Sequence, residues 1–279
     1  MYTPELSSKF RVYILIPLIN IFNFLKNTKS ISLFNKIKLI FNGFHNIIWN
    51  IYEIKLYFKK AYYDNIYNSI NIINYPAEIE NLSTKIDLTK IKNVLDIGAN
   101  VGLFSFVLKS IFPHLRIYSF EPNKDIFSIL NKNASQFKNW RCFNFGIGRD
   151  EDNLDFYYIK GKSAQGSLYE HNATFELSGN LSLQKIQTIS LNKKNLVKLG
   201  IPLQFDFVKI DAEGYEKIII ENMNIKTKYL YFEFTHDEKD SFKIDDIFKS
   251  LESKFGKYKI LNENTNNSRI QEYLIEFEL

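Results

Sequence analysis

Four acids stand where short apolar runs end: Asp96 after Val94-Leu95, Glu121 after Ile117 to Phe120, Asp211 after Phe207 to Ile210, and Glu233 after Tyr231-Phe232. A purely structural sheet needs no acid at its strand ends, so four on one rim is a functional pattern. Ionised carboxylates accept hydrogen bonds from hydroxyls, balance cations and take up protons. Asp96 opens directly into Ile97-Gly98-Ala99-Asn100-Val101-Gly102. Glycines in such a turn permit positive φ and let a ligand approach the main chain. The amphipathic run that follows, Leu103 to Phe112, is closed by Pro113 and reads as a helix whose free N–H groups aim at the same spot. Glu121 follows Asp96 by 25 residues and suits a pair of ribose hydroxyls. Loop and acid together point to a ligand carrying adenosine.

The elements that must position these residues alternate from Asn93 onward. The pattern predicts strands over 93–97 and 116–121, helices over 103–111 and 124–136, and a third strand from Arg141 to Ile147. Short strands follow at Leu154 to Ile159, Ser167 to His171 and Leu181 to Ile189, as a hairpin or meander. A helix over 191–199 then leads to the strand Phe205 to Asp211. Next come a helix from Glu216 to Asn222, a strand from Tyr229 to Phe234 and a helix over 241–253. The pair Tyr258 to Leu261 and Tyr273 to Glu278 closes the sheet. Such alternation is the signature of parallel βαβ units, whose ligands sit outside the carboxyl ends of the strands.

The blocks Asp96-Ile97-Gly98-Ala99-Asn100-Val101-Gly102, Phe120-Glu121-Pro122-Asn123, Lys209-Ile210-Asp211-Ala212-Glu213-Gly214-Tyr215-Glu216 and Phe232-Glu233 resemble the FkbM family of S-adenosylmethionine-dependent methyltransferases. Asn144 to Asp150 and Ser167-Leu168 sit where that family has comparable segments. The resemblance spans about residues 93–236. It implies an α/β fold of the class I methyltransferase (Rossmann-like) kind, a mostly parallel seven-stranded sheet of order 3-2-1-4-5-7-6. It further implies S-adenosylmethionine as cofactor and methyl transfer to a hydroxyl of a glycan, sugar or small metabolite. One departure is Ser190-Leu191-Asn192, where the family has a T-L-D pattern; Asn still caps a helix.

On this resemblance Asp96 serves the methionine end of the cofactor, directly or through water. Gly98, Ala99 and Gly102 admit the cofactor against backbone, and Asn100 takes the unusual turn geometry. Glu121 holds the ribose, while Pro122 and Asn123 border the adenine; Asn144 and Asp150 are candidates for the adenine amine. Asp211 lies beside the methyl group. Asp211, Glu213 and His236 are the candidate bases, with His171 and Lys209 behind them, and Glu213 alternatively caps a helix. Glu216 is expected on a helix surface. No ligand spacing demands a metal.

Charge separates the N-terminal segment from the rest. Residues 1–60 hold nine Lys/Arg against two acids, +7, which leaves −2 for the remainder of a chain whose total is +5. Val12 to Leu25 is strongly apolar, but its fourteen residues contain Pro17, Asn20 and Asn23, and a membrane span needs about 20 apolar residues. Residues 31–60 carry apolar side chains at helical spacing with lysines between them. The sequence thus divides into a helical extension or cap, 1–90, and a methyltransferase domain, 91–279. The cap either packs on the domain or lays a basic face on anionic lipid. The lone Cys142 fits a reducing compartment, hence a cytoplasmic protein, peripheral to the inner face of the membrane where residues 1–60 touch it. No nucleic-acid module is present, nor an N-P-P-Y block or Pro-Cys loop for nucleic-acid methylation. The first loop lacks the G-x-G-x-x-G of NAD enzymes. A non-catalytic nucleotide-binding scaffold is the other reading.

Overall fold

Val94, Leu95 and Ile97 of strand β1 (Asn93–Ile97) are no more than 2% exposed, as befits a strand covered on both faces. The computed structural model describes residues 78–79, 81–159, 162–174, 181–235, 243–265 and 270–278. The apolar run 12–25, the basic segment 1–60 and His236 lie outside the described residues.

On either side of β1 run β2 (Arg116–Phe120) and β8 (Gln204–Ile210), both parallel to it, with Ile97 level with Phe120 and with Ile210. The sheet continues through β3 (Trp140–Phe143) on one side and through β9 (Lys226–Thr235), β11 (Ile270–Phe277) and β10 (Tyr258–Asn264) on the other. Counted along this sheet alone, the spatial order is 3-2-1-4-5-7-6, as the resemblance implies. Asp206 fixes where β1 starts, its Oδ2 accepting both the Lys92 and the Asn93 N–H at 2.8 Å.

Helices cover both faces. Helices α1 (Leu103–Ile111) and α2 (Lys124–Ser135) pack on Val94, Ile117, Phe207 and Tyr231. Against Leu95, Ile97, Val208, Ile210 and Phe232 lie α4 (Lys193–Leu199), α5 (Glu216–Glu221) and α6 (Ile244–Phe255). Alternate residues of one strand thus feed separate cores. Ile79, Leu82, Ile86, Leu88 and Ile91 belong to the α1–α2 core, so the described residues just before β1 are docked on the domain.

Two expected strands are corrected. The third ends at Phe143, because the Asn144 amide donates to the carbonyls of Glu121 and Pro122 (2.9 and 3.0 Å) and turns the chain out of the sheet. Gly146–Ile147, β4, then pairs with β7 (Leu181–Ile189) in a separate sheet ordered β4-β7-β5-β6, completed by β5 (Glu151–Ile159) and β6 (Lys162–Ser167). The strand expected over Ser167 to His171 is instead the end of β6 and a short helix, α3 (Glu170–Thr174). Ser167 Oγ accepts the Tyr169 N–H at 3.0 Å, a local turn that competes with further pairing. Among the described residues no helix is long and apolar enough to cross a membrane.

Candidate functional site

The β1–α1 loop reverses at Gly98, Asn100 and Gly102, with φ of 74°, 50° and 86°. A Cβ on Gly98 would fall 1.7 Å from the Asp211 carbonyl oxygen, so only glycine lets the loop lie against the end of β8. Gly98 and Ala99 both donate their N–H to the Phe120 carbonyl (3.1 and 2.9 Å), and the Asp211 N–H reaches Ile97 O at 3.1 Å. Three strand ends are thereby laced into one wall.

That wall lines a cleft of ≈ 1230 Å³, counted out to open solvent. Gly98, Ala99, Asn100, Glu121, Pro122, Asn123, Asp211 and Glu213, all expected site residues, line it together. Asp96 and Gly102 do not. Asp96 is fully buried beneath the loop, its Oδ2 accepting from Ser105 Oγ at 2.5 Å, while Trp140 Nε1 donates to Ser119 Oγ (2.9 Å), itself 3.4 Å from Ser105 Oγ. Its Oδ1 has no partner among the described residues; the carboxyl supports α1 from below, and burial raises its pKa. Gly102 is needed for packing, since a Cβ there would stand 2.6 Å from Leu130 and 3.0 Å from Trp140.

Glu121 is 6% exposed, with Oε2 accepting the Asn100 N–H (2.9 Å) and Oε1 the Asn123 N–H (2.8 Å). A carboxylate has about four acceptor positions, so about two remain for a diol. Burial pushes its pKa up to about 7, against the pull of those two N–H groups. Asn123 Oδ1 accepts from Asp125 and Ile126 N–H as the cap of α2, and the residue lines the cleft next to Pro122. Neither candidate for the adenine amine lines the cleft; Asp150 is bonded by Ser190, Asn192 and Asn195, and Asn144 spends its Nδ2 on the carbonyls of Glu121 and Pro122. Burial opposes the Asp150 charge, but the bonds from Ser190 and Asn195 hold its carboxyl below the usual range.

The turn after β8 brings the chemistry. Asp211 Oδ2 accepts from Lys209 Nζ at 2.8 Å, and Lys209 is only 4% exposed. Glu213 (φ 49°) presents its carbonyl to Ser167 Oγ (2.7 Å) and Asn172 Nδ2 (3.1 Å), tying the turn to the second sheet. Glu233 stands beside Asp211 because Phe232 is level with Ile210. Carboxylate oxygens of Asp211, Glu213 and Glu233 lie within 4.8 Å of one another. Acids at this spacing gather positive charge, and the Lys209 ammonium supplies it at Asp211. His236 lies outside the described residues, and His171 falls on α3.

Glu216, expected on a helix surface, is fully buried. Its Oε1 accepts the N–H groups of Ala212 and Gly214, both at 3.1 Å, and burial lifts its pKa to about 8. It clamps the Asp211–Gly214 turn from within. Glu216→Ala leaves both N–H groups unanswered and is expected to lower stability by roughly 2–4 kcal/mol. Glu216→Gln keeps an acceptor and is expected to cost less than about 1 kcal/mol; urea unfolding of the two variants separates them. Sequence reading also missed Phe156, Gly166 and Ile186, which line the cleft but carry no motif, and gave no role to Leu168 and Tyr215, which line it too.

The residues fit a sulfonium nucleoside. Gly98 keeps the loop free of side chain, Glu121 retains acceptor positions, and Asn100 Oδ1 is buried without a partner among the described residues on the cleft wall. Residues 96–258, more than half of the chain, match the model of the Methyltransferase FkbM domain. The chain is 27% identical over 123 residues to the AMB antimetabolite synthetase AmbE of Pseudomonas aeruginosa, an alignment covering 44% of this chain and 5% of that protein. It is 22% identical over 144 residues to Methyltransferase 1 of Beauveria bassiana, covering 47% of this chain and 58% of that one. Among solved structures it is similar to magnesium protoporphyrin IX methyltransferase from Synechocystis with bound S-adenosylmethionine (TM-score 0.44, 13% identity, 75% of this chain and 80% of that chain). It is likewise similar to the StiE O-MT structure (TM-score 0.46, 10% identity, 81% of each chain). With its loop, ribose acid and acidic turn assembled in one cleft, the chain belongs to the FkbM family of methyltransferases, and its cofactor is S-adenosylmethionine.

Proposed function

We propose that the chain methylates a hydroxyl of a glycan, sugar or small metabolite. The observation that supports this is the convergence of Asp211, Glu213 and Glu233 on the cleft wall next to the cofactor loop. A hydroxyl becomes a competent nucleophile as it loses its proton, and a positioned carboxylate takes that proton. When bound, S-adenosylmethionine supplies an electrophilic methyl carbon on positively charged sulfur. Gly98, Ala99 and Asn100 would hold it along the loop and Glu121 at the ribose. The protein's own work is then to orient the acceptor oxygen, exclude water and receive a proton.

The acids meet an apolar wall from the second sheet, Phe156, Leu168 and Ile186, with Tyr215 beside them. An acceptor seated there presents an apolar face to that wall and its hydroxyl to the acids. The test is incubation of the full chain with methyl-labelled cofactor and separate fractions of cell glycans and small metabolites. Label is expected in a hydroxyl-bearing fraction, as an ether stable to mild base. Label on amines or carboxylates overturns the hydroxyl assignment, and cofactor binding without label in any fraction supports the scaffold reading.

A further inference from the structure

We propose that Glu233 is the catalytic residue that accepts the proton of the methyl acceptor, while Asp211 is held as the charge partner of Lys209. This rests on the hydroxyl-acceptor reading above.

The three cleft acids are not equivalent. Asp211 is engaged by the buried Lys209 ammonium at 2.8 Å, so one of its oxygens is already taken. The Glu213 turn is fixed through its carbonyl to Ser167 and Asn172 and stands on the side of the second sheet. Glu233 accepts no hydrogen bond and makes no ion pair among the described residues, yet it lines the cleft. It also lines a smaller cavity of ≈ 280 Å³, counted out to open solvent, together with Glu78, Lys209, Asp211, Tyr231 and Glu272. Asp211 opens on both spaces as well, and what sets Glu233 apart is that no ammonium is bonded to it among the described residues.

The charges that face Glu233 come from every neighbouring element. Asp211 and Glu213 come from the turn after β8, Glu272 from β11 and Glu78 from the segment before β1; Lys209 on β8 is the cation among them. On its own strand, Tyr231 adds a hydroxyl to the smaller cavity. Withdrawal from water, then the Asp211 and Glu213 charges, raise the Glu233 pKa well above the usual carboxylate range. The crowding makes the ionised Glu233 a stronger base and also holds part of it protonated, so turnover is expected to rise with pH as this carboxyl ionises. In the step, the acceptor O–H bond breaks and its proton goes to the Glu233 carboxylate. The oxygen lone pair forms the new bond to the methyl carbon, and the electron pair of the carbon–sulfur bond stays on sulfur. The smaller cavity is the exit for the proton.

The test uses the full chain with Glu233→Gln, Glu233→Asp and Asp211→Asn. Calorimetry of S-adenosylmethionine binding, turnover on the labelled acceptor and carboxyl titration by NMR with ¹³C-glutamate are measured for each. Glu233→Gln is expected to keep cofactor affinity within about threefold and to lose about 100-fold or more in kcat, with Glu233→Asp in between. One glutamate carboxyl that titrates above the ordinary range is expected to vanish in Glu233→Gln. Asp211→Asn is expected to keep more than a tenth of kcat at saturating cofactor and all glutamate signals. Turnover of Glu233→Gln within threefold of the parent overturns the assignment. So does a vanished signal with an ordinary titration, or turnover abolished by a chelator and restored by Mg²⁺. If the parent binds cofactor but methylates no hydroxyl fraction, the acceptor reading fails, and the carboxyl titration alone then decides whether Glu233 is the proton holder.

Discussion

Gly98→Ala is expected to abolish cofactor binding and to destabilise the fold by about 3 kcal/mol or more. The added methyl would occupy the position of the Asp211 carbonyl oxygen, 1.7 Å away, and backbone at the end of a central strand cannot swing aside as a flexible side chain would. The positive φ of 74° adds its own cost for any residue with a Cβ. Relief requires β1 and β8 to part at Ile97 and Ile210, or the loop to leave Phe120 O. Either movement dissolves the wall that presents Asn100 to Glu121. Urea unfolding reads the first effect and titration calorimetry with S-adenosylmethionine the second. A variant that binds cofactor within threefold of the parent would show that the loop does not press on β8 in this way.

Glu121→Gln is expected to weaken the cofactor by about 100-fold at pH 8, and to remove most of the pH dependence of binding between pH 6 and 8. Hydrogen bonds to an ionised group are worth about 1.5–3 kcal/mol each, and a diol on Glu121 would make two. The sign follows from a pKa lifted by burial to about 7. Donors from a ribose favour the carboxylate, so affinity in the parent rises as pH passes upward through 7. Stability runs the other way. Below pH 4.5, the ordinary value for the unfolded chain, both states are protonated and the group is neutral to folding. Between 4.5 and about 7 only the unfolded chain has ionised, so its stabilising effect on the unfolded state grows with pH; above 7 it grows no further. Glu121→Gln removes this term, so the variant's stability relative to the parent is expected to improve from pH 4.5 to 7 and then level off. Thermal unfolding across that range checks it independently of any ligand.

What the sequence discloses depends on how local the cause is. The loop was legible because each constraint acts within a few residues: glycines at positive φ, an acid at a strand end, a helix following. The order of the main sheet came from the family resemblance, and the alternation of elements supported it. Glu216 was misread because its i-to-i−2 and i-to-i−4 bonds to Gly214 and Ala212 face inward, while a helix-start Glu is ordinarily a solvated charge near the positive dipole end. The departure of β4 from the main sheet was hidden because Asn144 acts across 22 and 23 residues. Strand runs such as Arg141 to Ile147 look continuous whichever sheet their ends join. Glu233 was visible as a rim acid, but its position beside Asp211 depends on the register of β8 against β9, which no single segment encodes.

The second sheet leaves the main one where Asn144 bonds to Glu121 O and Pro122 O, and returns at Ser190, whose N–H and hydroxyl both go to Asp150 at 2.8 and 2.9 Å. Entrance and exit are sutured to one another and to the cofactor wall. The chain between them is therefore a loop whose ends are closed by side chains of its own borders. Each doubling of such a loop adds only about 0.6 kcal/mol of closure entropy. Lengthening or shortening within residues 151–189 that spares Ser167 and Asn172, whose bonds to the Glu213 carbonyl hold the turn after β8, thus leaves the strand ends at Gly98, Glu121 and Asp211 where they are, and the rest of the surface facing the acceptor is free to drift while the methyl-donor site stays put.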